Sequence, residues 1–115
     1  MPTTPVSESL FRLGLNDALP VSEEATTSRV VVNNDVLRTV VFTFDAGQQL
    51  TEHASPKAVV CTLLAGEMEF TVSGETNTLA AGDVVYLAPG ARHALTAITP
   101  CRLQLVMVEV ASEDA

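Results

Sequence analysis

The segment EMEFTVSG alternates strictly between polar and apolar residues. A strand with that pattern turns Glu67, Glu69 and Thr71 to solvent and Met68, Phe70 and Val72 to a core. Seven other segments share the composition of strands: SRVVV, VLRTVVFTF, KAVVCTLL, TNTLA, DVVYLA, HALTAI and RLQLVMVEV. They are rich in Val, Thr, Leu and Phe, and none carries helical spacing over three turns. Between them fall Asn33-Asn34-Asp35, Ala46-Gly47, Ala65-Gly66, Ser73-Gly74, Ala81-Gly82 and Pro89-Gly90, where glycine supplies the positive φ of tight turns. Short strands with turn signals at such intervals predict an all-β sandwich or barrel.

The predicted barrel occupies residues 26–111. Residues 1–25 form an arm or edge element, in which SESLFRLGL reads equally as a helical turn or an early strand. The tail at 112–115 is expected to fray. Large apolar residues stand on both alternating faces of RLQLVMVEV and RVVVNNDVLRTVVFTF. A small barrel buries one of those faces, so a homodimer is expected to cover the other.

At 115 residues the chain holds one domain. Six Lys+Arg against fourteen Asp+Glu leave a net charge of −8, which opposes nucleic acid and anionic lipid. No apolar run is long enough to span a bilayer, and no basic segment followed by an apolar run marks a secretory leader. A cytoplasmic protein is expected. Cys61 and Cys101, 40 residues apart in the chain, read as free buried thiols.

The turn glycines and both histidines resemble the cupin superfamily, whose first motif runs G-x5-H-x-H-x3,4-E-x6-G and whose second runs G-x5-P-x-G-x2-H-x3-N. Gly47, His53 and Gly66 fall in register with the first; Ser55 stands at the second histidine and Val59 at the glutamate. Gly82, Gly90 and His93 fall in register with the second, with Ala88 at the proline and Ala97 at the asparagine. The resemblance is to a small single-domain cupin of the conserved-barrel type. It implies a double-stranded β-helix, or jelly-roll barrel (RmlC-like), usually dimeric, in a superfamily of very diverse activities.

In metal-bearing cupins three histidines and one glutamate converge on a transition metal. Here His53 and His93 are the candidate metal ligands, so the cofactor expectation is either none or one divalent transition metal. Cys61, which shares an alternation face with Val59 and Leu63, and Gln104 in the last strand are candidate replacement donors and ligand-binding residues. Glu52, next to His53, is expected to point the other way. Arg38, Arg92 and Arg102 are candidates for a carboxylate or phosphate if any faces the cavity, and Tyr86 is a candidate acid. Phe42, Phe44, Phe70, Val72, Leu87, Leu95 and Leu105 are candidates for the lining. Two functions follow: binding of a small organic molecule with His53 and His93 as the polar feature, or a metal-dependent oxygenase or isomerase built on the same pair.

Overall fold

A computed structural model describes residues 4–111; the tail at 112–115 lies outside the described residues. Nine strands follow one short helix, α1 (Leu15–Ala18): β1 (Thr26–Asn33), β2 (Leu37–Phe44), β3 (Gln49–His53), β4 (Ala58–Ala65), β5 (Glu67–Val72), β6 (Glu75–Ala80), β7 (Val84–Leu87), β8 (His93–Ala97) and β9 (Cys101–Val108). SESLFRLGL is neither helix nor strand along nearly its whole length; the single helical turn begins at its last leucine. The strands form two sheets, ordered β1-β2-β9-β4-β7 and β3-β8-β5-β6, with antiparallel pairings throughout. This is a jelly-roll barrel.

Alternation dictates which residues fill it. Val59, Cys61 and Leu63 on β4 share one face, as do Met68 and Phe70 on β5 and Cys101 and Leu103 on β9; all are buried in one apolar cluster. Glu67 and Glu69 are exposed, while Val72 packs partly buried against the cluster. The β5–β6 hairpin turns through Ser73 and Gly74, with φ of 49° and 85°. Two successive positive values match the twist of the flanking strands, so a two-residue loop suffices.

β2 is buried on both faces. Phe44 enters the cluster, whereas Thr39, Val41 and Thr43 are buried on the opposite side. On that side the Arg102 guanidinium donates to the carbonyls of Leu19 (2.7 Å) and Asn16 (3.4 Å). Further along the arm, Arg12 donates to the Val31 carbonyl at 3.0 Å. The arm therefore straps the outer face of the first sheet, and part of the cover expected from a second chain comes from the chain itself. Asp45 accepts from the amides of Glu24 and Ala46, and Asp83 from that of Ala80, so both serve their turns.

Candidate functional site

β3 carries the motif histidine but has only one large apolar residue, Leu50, which is why its pattern does not read as a strand. It pairs with β8, and the register contains a shift: Leu50 faces Leu95, while His53 faces His93. Three steps along β3 thus match two along β8, a one-residue bulge at Thr51 and Glu52. Under strict alternation Leu50 and Glu52 would share the inner face and His53 would point out. The bulge reverses that parity, so Leu50 and His53 both line the barrel. Glu52 is left outside, where it accepts a hydrogen bond from Arg92 at 2.9 Å.

The two imidazoles lie with ring centroids 4.2 Å apart and planes inclined by 59°. His93 is buried and stacks on Phe70 at 6.2 Å, whereas His53 is exposed at the rim. Each Nδ1 sits by a backbone carbonyl two residues earlier: His53 on Thr51 at 2.8 Å, His93 on Ala91 at 3.1 Å. A carbonyl only accepts, so each Nδ1 carries the hydrogen. In the neutral ring Nε2 is then the free acceptor. Burial pushes the His93 pKa down, the bond to Ala91 opposes that shift, and the nearby His53 adds to it. His93 is therefore neutral at physiological pH.

The pair borders a cavity of about 260 Å³. Its walls are Val40 and Phe42 from β2, Phe70 from β5, Leu95 from β8 and Leu103 and Leu105 from β9, with Cys61 among them. Exposed Ser28 and Arg38 stand with His53 where the cavity meets solvent. Of the predicted lining, Phe42, Phe70, Leu95 and Leu105 face this space. Phe44 and Leu87 are instead packed in the apolar cluster. Val72 and Tyr86 border a larger depression of about 580 Å³ between β6 and β7, lined also by Glu75, Asn77 and Asp83. Tyr86 is 59% exposed there and lies away from the histidines, so it is no acid for this site.

Gln104 does not join the site. Leu103, Leu105 and Met107 line the cavity, so Gln104, like Arg102, faces the other side of β9. Cys61 does line the cavity, where burial pushes its thiol up to about 12 and keeps it protonated in the free protein. Nor does the ligand set of metal-bearing cupins fit. Val59 is buried in the apolar cluster. Ser55 accepts from the Lys57 amide through its hydroxyl (3.2 Å) and from the Gly90 amide through its carbonyl (2.7 Å). It thus ties the second motif's turn to the first. Among the described residues no group of three or more His, Cys, Asp or Glu side chains is placed to hold a metal ion.

A family model described as a cupin domain matches residues 40–109. This chain belongs to the cupin superfamily. The cupin is similar to a conserved protein of unknown function from Streptococcus pyogenes, with 30% identity, coverage of 91% of this chain and 92% of the other, and a TM-score of 0.80. An RmlC-like cupin from Shewanella frigidimarina is 23% identical over 93% and 96% of the two chains, with a TM-score of 0.76. The DMSP lyase DddQ from Ruegeria pomeroyi is 24% identical; the match covers 73% of this cupin and 47% of the lyase, at a TM-score of 0.68. The latter two likenesses show the fold alone. No curated protein matches the sequence.

Proposed function

We propose that this cupin binds a small organic molecule inside its barrel, with His53 and His93 as the polar contacts and Cys61 in the apolar wall. One observation carries the reading: a mostly apolar cavity of about 260 Å³ bordered by two imidazoles whose Nδ1 atoms are already engaged. An apolar pocket with a few convergent polar groups is how such sites are generally built. The metal-dependent alternative has the same two Nε2 atoms, with no third His, Cys, Asp or Glu placed to complete a metal site among the described residues, and two imidazoles usually hold a divalent ion weakly.

The test joins elemental analysis of the purified, untagged protein for Mn, Fe, Co, Ni, Cu and Zn with methyl NMR during titration of 1,2-hexanediol. The expected result is metal far below stoichiometric and unchanged in a His53→Ala, His93→Ala double variant. The diol then shifts the Leu95, Leu103 and Leu105 methyls. Near-stoichiometric metal that disappears in the double variant overturns the reading in favour of a metalloenzyme.

The same proposal includes a homodimer. Phe11 and Leu13 on the arm are 86% and 83% exposed, and Val60, Val84 and Tyr86 leave an apolar surface on the outer face of β4 and β7. A monomer in sedimentation at micromolar concentration would remove that part. A cytoplasmic setting is supported by Cys61 and Cys101, both buried and unpaired. Among the described residues no helix is long and apolar enough to cross a membrane.

A further inference from the structure

The chain has six Lys+Arg residues, and most of their charged groups are engaged. Arg12 and Arg102 are held by backbone carbonyls. Lys57 pairs with Glu109 at 3.2 Å and Arg92 with Glu52 at 2.9 Å. The guanidinium groups of Arg29 and Arg38 make no hydrogen bond or ion pair among the described residues. Arg29 faces Val41 across the β1–β2 ladder, on the side away from the cavity. Arg38 has the same parity as Val40 and Phe42, and it alone of the six borders the cavity. In a chain of net charge −8, a cation left without a carboxylate at the mouth of an apolar pocket is available to a ligand.

From this we infer that the occupant is a small carboxylic acid with an apolar body, its carboxylate held by Arg38. The inference rests on the reading of the cavity as a binding site and specifies what that site takes. A guanidinium fork matches a carboxylate and needs no deprotonation to stay charged. One cation balances one carboxylate. A phosphate carries about −1.5 to −2 at neutral pH, and no second Lys or Arg borders the cavity to balance it. The Ser28 hydroxyl stands on the same border. Neutral His93, with Nε2 free to accept, favours a ligand that also carries a hydroxyl or amine. A cavity of about 260 Å³ suits an aliphatic chain of modest length.

The test compares 2-hydroxyhexanoate with 1,2-hexanediol, which differ in the carboxylate alone, by methyl NMR titration of the wild type, Arg38→Ala and Arg38→Lys. Arg38 is exposed, so neither substitution opens the core. The wild type is expected to bind the hydroxy acid about tenfold or more tightly than the diol, a preference of about 1.4 kcal/mol. Arg38→Ala should bring the acid to the level of the diol without changing the diol, and Arg38→Lys should retain part of the preference. Equal binding of both probes, or a preference that survives Arg38→Ala, overturns the carboxylate assignment while the cavity reading stands. If neither probe shifts the cavity methyls at millimolar concentration, both readings fall.

Discussion

Replacing Gly66 by alanine puts a methyl group onto the start of β9. Gly66 turns the chain from β4 to β5 at φ +91°, and a Cβ built there overlaps the Pro100 carbonyl oxygen and comes within 2.8 Å of Cys101 Sγ. That sulfur already points at the carbonyls of Glu67 and Thr99, at 3.0 and 3.1 Å, so it has little freedom to move aside. Gly82, between β6 and β7, has a similar φ of +96° with nothing within 4 Å of its would-be Cβ. It isolates the backbone cost, about 1–2 kcal/mol for a left-handed L-residue. Gly66→Ala adds the cost of overpacking against backbone, typically about 1–3 kcal/mol, for a total of about 2–5 kcal/mol. For a domain of this size about 4 °C of Tm corresponds to 1 kcal/mol. Gly82→Ala should therefore melt about 4–8 °C below the wild type and Gly66→Ala about 8–20 °C below. Calorimetry on the three proteins reads this directly. Equal losses for the two variants would refute the reasoning, because the close approach of β9 would then cost nothing to relieve.

Acidification should destabilise the protein through His93. Its folded pKa lies below its ordinary value of 6.5, so the unfolded chain takes up the proton first and stability falls as pH drops from near 6.5 until the folded imidazole itself titrates. Urea midpoints across that window should show the slope, and His93→Gln should flatten it; an unchanged slope in the variant removes His93 as its source. Cys61, with its thiol pushed up to about 12, should resist iodoacetamide in the native state at pH 8 and react only on unfolding; prompt native alkylation would show that the cavity wall opens. The Arg92–Glu52 pair is exposed on both sides, so Arg92→Ala should cost less than about 1 kcal/mol in chemical denaturation. A larger loss would mean that the pair holds the bulge.

Much of this fold is local and was legible along the chain. The alternation in EMEFTVSG names Met68 and Phe70 as core, and the parity of Val59, Cys61 and Leu63 brings Cys61 to the cavity wall, because side chains on a strand change face at every residue. The same rule, applied to RLQLVMV, separates Gln104 from Leu103 and Leu105, so that signal was present in the sequence. β3 was not legible: QLTEH has too few apolar residues to mark a strand, and it is one because β8 offers an edge to pair with. The inward position of His53 was equally hidden. It depends on a bulge that breaks alternation, and a bulge is set by pairing with a distant strand rather than by the residues that carry it. The three arginines look alike in sequence, yet Arg38 borders the cavity, Arg92 meets Glu52 across the β3–β8 pair, and Arg102 is taken by the arm. The sequence by itself determined the strands, the turns and the residues able to do chemistry. Only the closed barrel decided which of those residues face one another, because facing across 40 residues of chain is a property of register and closure, and no local period encodes it.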